Sequence, residues 1–352
     1  MDITVNKPAP IELGKEVELF KRGVNVKQTI EALEAGKSFI IKEFYNNGLT
    51  LLDELQKHLD KKYSDESFKD QRAADLEYHK LSNLLLMEVI DHKLPATMAP
   101  NIGWFKLFYP ENKNFLLTFP QVQELDISWQ EHQKGVSIPV VRNKVHPYYG
   151  THLPTSFEHL VLFDNWLKRY EGPKKTAIDV GVGNGLLSFQ LVKHGFQKTF
   201  GTDINPNAIF GLKDFMGDTK LSRKIELDFA PLFGKWNKPT EMIVFNSPWL
   251  PISKELDRGD AAVYYNENLF PDFFAAAKER LLPDGKIVLI FSNIAQLTGV
   301  TKEHPIEKEL ADGGRFKLEK CLTKSVRASS DKTNRYRHLY VDEEVQLWIL
   351  TH

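Results

Sequence analysis

Two clusters in this 352-residue chain combine residue types and spacing that could do chemistry. The first is Thr176-Ala-Ile-Asp179-Val-Gly181-Val-Gly183-Asn184-Gly185, a G-x-G-x-G run directly after a short apolar stretch. Glycine admits positive φ and lets a ligand approach the backbone closely. A helix that starts at such a turn aims its first amides at the ligand, which suits a carboxylate or a phosphate. Asp203 follows about 20 residues on, where doubly wound folds set an acid against ribose hydroxyls. The second cluster is Asn246-Ser247-Pro248-Trp249. This loop looks built to hold a flat, nitrogen-bearing group. Pro248 stiffens the loop, and Trp249 offers an aromatic face for stacking.

These groups need elements to position them. From residue 155 onward the pattern alternates. Helices are expected over 157–170, 186–194, 208–215 and 270–282. Strands are expected over 177–180, 198–202, 225–228, 242–245 and 286–291. That rhythm predicts a doubly wound, mostly parallel sheet with ligands beyond the carboxyl ends of its strands. The glycine run and the Asn246 loop both fall at such ends. Residues 316–322 and 345–350 read as strands with no crossover helix between them, which favours an antiparallel pair at the sheet edge. The first 95 residues read mainly as helices, over 26–44, 49–63 and 73–92. Residues 104–109 and 115–119 flank Pro110-Glu111-Asn112 and read as a β-hairpin. Pro139, Pro147 and Pro154 punctuate a connecting stretch, so the boundary is expected near residue 145. An accessory, substrate-recognising domain would occupy 1–145 and the α/β domain 146–352.

A dinucleotide fingerprint would carry its third glycine at the position of Leu186, whereas here Gly185 comes one residue early. The run from Asp179 to Gly185 instead resembles the first motif of class I S-adenosylmethionine-dependent methyltransferases. The Asn246 loop is similar to the Asn-Pro-Pro-Tyr motif of methyltransferases that act on amide or exocyclic amine nitrogen, including those of release-factor glutamine. The resemblance covers about residues 150–352. It implies a Rossmann-like seven-stranded sheet and S-adenosylmethionine held by Asp179, Gly181, Gly183, Asn184, Gly185, Asp203, Ile204, Asp228, Phe229 and Asn246. Asp179 and the glycines would serve the methionine end, Asp203 the ribose, and Asp228 the adenine amino group. Asn246, Ser247, Pro248 and Trp249 would carry the transfer. Ser247 stands where the family usually has proline, which retains the carbonyl and changes the loop's rigidity; Trp249 stands for tyrosine.

The resemblance favours a protein side-chain amide or a similar nitrogen as acceptor. The exocyclic amine of an RNA or DNA base, or a small metabolite, remains open, as does a cofactor-binding module without activity. A formal net charge of −1 leans against a large polyanionic partner. The segment 315–338 is nonetheless locally basic and reads either as a nucleic-acid guide or as a solvated hairpin. The single Cys321 excludes an internal disulfide and suits a reducing cytoplasm. No apolar run reaches membrane-spanning length, and the first ten residues lack a signal-peptide core. His146, His152 and His159 have no second cluster beside them, so no metal is expected. The stretch 146–154 either closes over the cofactor or is a plain linker.

Overall fold

A computed structural model describes residues 3–12, 17–65, 67–217, 219–252, 262–326 and 341–352. The chain divides into two compact units, one of Asn6–Lys134 and one of Met1–Val5 with Gly135–His352.

The first unit is rich in helix, as expected, but it also contains a sheet and has no hairpin at 104–119. It holds a four-stranded mixed sheet in the order β1 (Glu18–Phe20), β2 (Phe39–Ile41), β3 (Leu85–Val89), β4 (Phe115–Thr118). The first three strands run parallel and β4 pairs antiparallel with β3. Its helices are α1 (Val26–Glu34), α2 (Tyr45–Lys62), α3 (Phe68–Ser82), α4 (Trp104–Phe108) and α5 (Phe119–Lys134). The helix expected over 26–44 stops early because Gly36 takes φ 83° just past the end of α1, and Phe39–Ile41 then runs as a fully buried strand. The helix expected over 73–92 likewise ends at Ser82. Leu85, Leu86, Met87 and Val89 are all buried in β3. A strand buried on both faces is a continuous apolar run and carries no alternation to tell it from a helix. Residues 104–108 form a helical turn whose Trp104, Phe105 and Phe108 are buried, so only 115–118 of the expected hairpin is strand.

The second unit follows the expected alternation. Its elements in chain order are α6 (Glu158–Leu167), β5 (Thr176–Val180), α7 (Leu186–Lys193), β6 (Lys198–Asp203), α8 (Pro206–Met216), α9 (Lys220–Lys224), β7 (Ile225–Phe229) and β8 (Thr240–Asn246). Then come β9 (Leu250–Pro251), β10 (Tyr264–Tyr265), α10 (Leu269–Arg280), β11 (Leu281–Ser292), α11 (Ile294–Leu297), α12 (Pro305–Lys308), β12 (Lys317–Ser325) and β13 (Glu344–Thr351). The seven-stranded sheet has the order β12-β13-β11-β8-β5-β6-β7, parallel except for β13, which is antiparallel to both neighbours. The chain builds outward from β5 through β6 to β7, then returns to place β8 on the other side of β5. The switch point therefore lies between β5 and β8, where open α/β sheets bind ligands.

Alternating side chains split the core into two layers. Ala177, Met242, Val244, Val288 and Ile290 pack with Leu160, Phe163, Leu191 and Ile209 on one face. Ile178, Ile243, Phe245, Ile287 and Leu289 pack with Phe270, Phe273, Phe274 and Ala277 on the other. Covered on both faces, the central strands read as unbroken apolar runs.

Asp164 fastens α6 to α7. Its side chain is 4% exposed and lies 2.8 Å from Lys168 Nζ, 2.7 Å from Lys193 Nζ and 2.7 Å from His194 Nε2. Burial alone would raise its affinity for a proton, but hydrogen bonds from Lys168, Lys193 and His194 outweigh it and hold the carboxyl well below the usual range. The folded chain then keeps this group ionised where the unfolded chain protonates it. Its contribution is complete above about pH 4 and fades as pH falls through the lowered folded value. Asp164→Asn is expected to cost about 1–3 kcal/mol at pH 7 and to flatten the acid side of a urea-midpoint profile. A variant profile parallel to that of the wild type would contradict this role.

Candidate functional site

The glycine turn runs from the carboxyl end of β5 to the start of α7. Gly181, Gly183 and Gly185 all take positive φ, at 67°, 49° and 75°. Their surroundings differ. A Cβ on Gly185 would fall 2.7 Å from Leu212 Cδ2 and 3.0 Å from Phe189 Cζ, so this glycine admits α8 against the turn. At Gly183 the nearest atom would be 4.0 Å away and at Gly181 3.5 Å. These two leave the backbone open on the ligand side.

Asp203, at the end of β6, braces that turn. Gly183 N–H donates to its Oδ2 (2.8 Å) and Asn205 N–H to its Oδ1 (2.8 Å). Burial raises its pKa, and the amides of Asn205, Gly183 and Ile204 pull it back. Asp179, 1% exposed, accepts from the Ser188 hydroxyl at 2.6 Å through Oδ2. Its Oδ1 is buried with no partner among the described residues. Burial pushes this carboxyl up to about 7, against the Ser188 bonds and with a smaller push from Asp203. Ile204 and Phe229, 55% and 36% exposed, stand at the ends of β6 and β7, where Asp203 pairs with Phe229. Two exposed apolar side chains beside the Asp203 carboxylate form a flat apolar surface. Asp228 is one step inward, and its Oδ2 accepts from Lys235 N–H at 3.0 Å. It shapes the turn after β7 as well as facing the strand ends.

Three asparagine amides bind the preceding stretch to this turn. Asn184 Nδ2 donates to the His152 carbonyl, Asn205 Nδ2 to that of Gly150, and Asn207 Nδ2 to that of Tyr149, each at 2.7 Å. Thr151 Oγ1 also donates to Asn184 Oδ1 at 2.9 Å. Residues 149–152 are thereby fastened to the turn and to the start of α8, so this stretch is no plain linker. The residues that hold it were not singled out in the sequence, apart from Asn184. Asn205-Pro206 carried a legible signal as a helix cap followed by proline at the first helical position. The second use of the Asn205 amide depends on a segment 55 residues away.

The Asn246 loop leaves β8 on the far side of β5. Asn246 pairs in register with Ile290 of β11, and its Oδ1 is buried without a partner among the described residues. Ser247 is 2% exposed, and its hydroxyl faces the Ile290 carbonyl at 3.4 Å. This long contact ties the loop to β11 at the position where the similar motif has its first proline. Pro248 is buried and Trp249 half-buried between the two core layers. Downstream, β9 and β10 form a short parallel ladder, with Leu250 N–H bonded to the Val263 carbonyl (3.1 Å) and Ile252 N–H to that of Tyr265 (2.8 Å). The Trp249 ring also meets His159, a residue passed over in the sequence except as a metal candidate. The two rings are 5.9 Å apart and nearly perpendicular, at 86°.

Among the described residues no group of three histidine, cysteine or acidic side chains could hold a metal ion. No helix among them is long and apolar enough to cross a membrane. Of the basic segment, Lys317, Lys320 and Lys324 lie on the exposed strand β12, while Arg327, Lys332, Arg335, Arg337 and the Ser329-Ser330-Asp331 tip lie outside the described residues.

Sheet order, glycine turn and its bracing acid define a doubly wound α/β fold with an open turn at its switch point. Residues 150–246 match the ribosomal protein L11 methyltransferase (PrmA) family, so this region carries the sequence signature of a methyltransferase. The chain is 35% identical over 83 residues to a Methanocaldococcus jannaschii protein assigned as a protein N5-glutamine methyltransferase, covering 23% of this chain and 40% of that one. It is 29% identical over 145 residues to the ribosomal protein L11 methyltransferase of Carboxydothermus hydrogenoformans, covering 41% and 44%. It thus spans about two fifths of the length of these relatives. A ribosomal protein L11 methylase of Lactobacillus delbrueckii subsp. bulgaricus aligns in structure over 60% of this chain and 86% of its own, with 18% identity and a TM-score of 0.37.

Proposed function

We propose that the chain is an S-adenosylmethionine-dependent N-methyltransferase acting on an amide-like nitrogen of a protein side chain. The observation that carries the reading is the unpaired, buried Oδ1 of Asn246, across the β5–β8 switch from an open glycine turn. The names of the relatives support a protein acceptor.

The residues present fit the cofactor. Gly181 and Gly183 leave room at the backbone, Ile204 and Phe229 offer an apolar surface, and Asp203 has lone pairs left for hydroxyls. The open Oδ1 of Asp179 suits a cationic group, which would favour its ionised form. Bound there, S-adenosylmethionine supplies a methyl group made electrophilic by its sulfonium. Asn246 and the Ser247 carbonyl then do the chain's own work. An amide nitrogen is a poor nucleophile because its lone pair is delocalised. Two fixed acceptors on its N–H groups orient it and favour withdrawal of that lone pair from conjugation. Orientation of this kind supplies much of the rate in an in-line displacement.

The accessory role of the Asn6–Lys134 unit belongs to the same proposal: it selects the acceptor. A reducing, cytoplasmic setting belongs to the same proposal, on the single cysteine of the sequence. Labelled methyl transfer into fractionated lysate tests the whole reading, with label expected in protein and on nitrogen. Label confined to RNA or to small molecules would replace the acceptor class, and a folded chain that binds no cofactor would end the reading. A chain beginning at Gly135 is expected to keep cofactor affinity and lose transfer to the native acceptor. Full transfer by that shortened chain would remove the selecting role.

A further inference from the structure

His159 is 3% exposed in the first turn of α6, a position where an apolar residue would fill the same space. Its Nδ1 is buried with no partner among the described residues. Burial, and to a lesser degree His152, press its pKa down to about 4, so it is neutral in ordinary buffers. Its ring stands edge-on to that of Trp249, whose Nε1 is likewise buried without a partner. Trp249 lies three residues beyond Asn246, whose Oδ1 is the third unpaired atom of this neighbourhood. Buried polar atoms are nearly always satisfied, so several left open around one loop call for an explanation.

The chemistry of the three atoms is complementary. Asn246 Oδ1 accepts, the Trp249 indole N–H donates, and a neutral imidazole does either. A primary carboxamide carries N–H donors beside an oxygen with two lone pairs. An alkylamine lacks that oxygen.

We propose, resting on the reading above, that His159 is a positioning residue for the acceptor: its ring sets the Trp249 face beside Asn246, and its open Nδ1 and the Trp249 indole N–H are completed when a primary carboxamide enters. These atoms are buried, so the loop must yield for the amide to reach them. Phenylalanine at 159 would preserve the ring contact and remove the nitrogen, which separates polar recognition from space filling.

The test uses the full chain saturated with S-adenosylhomocysteine and titrated with N-acetylglutamine amide. The readout is the Trp249 indole N–H signal in a nitrogen–proton correlation spectrum, identified by its loss in Trp249→Phe. A saturable shift is expected with the amide and none with propylamine. His159→Phe is expected to keep cofactor affinity while the amide midpoint weakens about tenfold, and His159→Asn to recover part of that loss. An unchanged midpoint in a folded His159→Phe chain overturns the proposal and leaves the N-methyltransferase reading intact. A wild-type signal that follows propylamine and ignores the amide overturns the amide reading, and the proposal with it. Should phenylalanine prevent folding, His159→Gln carries the test: a midpoint within about twofold of wild type supports the role, and a loss as large as that of His159→Leu overturns it.

Discussion

Asn246→Ala is expected to lower methyl transfer about a hundredfold or more while cofactor affinity stays within a small factor. Removing one preorganised hydrogen-bonding group from a reacting centre has effects of this size. The Asn246 oxygen is buried and unpaired, so it holds no part of the fold together by hydrogen bonding among the described residues. The loop keeps its other ties, the Ser247 contact to Ile290 and the ladder between β9 and β10. Alanine therefore removes an acceptor for the incoming N–H and leaves the backbone in place. Asn246→Asp is the sharper probe, because it keeps an oxygen and adds a charge near the acceptor and the sulfonium. Single-turnover transfer of labelled methyl, with calorimetric titration of the cofactor, separates the two steps. Normal turnover by Asn246→Ala would show that the loop is only a turn.

The second large effect is expected at Asp203. Both its oxygens are engaged by backbone amides, one from Gly183 in the turn and one from Asn205 before α8. Asp203→Ala leaves those N–H groups and any ribose hydroxyls unpaired together, and cofactor affinity is expected to fall about 10- to 100-fold. Asp203→Asn is expected to fare little better. An amide has one accepting oxygen and one donating nitrogen, so whichever way it turns, one backbone N–H meets another donor. Calorimetric titration and thermal unfolding measure both consequences. Wild-type affinity in Asp203→Asn would show that the acid serves the turn and not the cofactor.

The α/β half of the chain was legible because its strands are short apolar runs separated by amphipathic helices and its glycines fall where strands end. Asn246 and Asp203 were visible for the same reason, since each closes a strand. The N-terminal sheet was hidden by its own burial. Phe39-Ile40-Ile41 and Leu85-Leu86-Met87 are apolar on both faces, and each lies close behind a helix whose spacing swallows it. The aromatic run Trp104–Phe108 points toward strand by residue type, yet it packs as a helical turn. His159 and the Asn205 and Asn207 amides escaped notice because their roles depend on partners distant in sequence: Trp249 for the histidine, and the 149–150 carbonyls for the amides.

The three asparagine clamps all end on main-chain carbonyls and not on side chains. A carbonyl is supplied by every residue type, so these three bonds do not themselves depend on which side chains the strap carries, although Tyr149 is buried and His152 exposed. The amides have no such freedom, since aspartate cannot donate and leucine can do neither. A saturation library read out by cofactor retention would therefore be lopsided: permissive at His152, and strict at the three asparagines and at Gly150, which takes φ 68°. The exposed His152 side chain is left available for another task, such as shaping what enters the site, while the strap's attachment stays fixed.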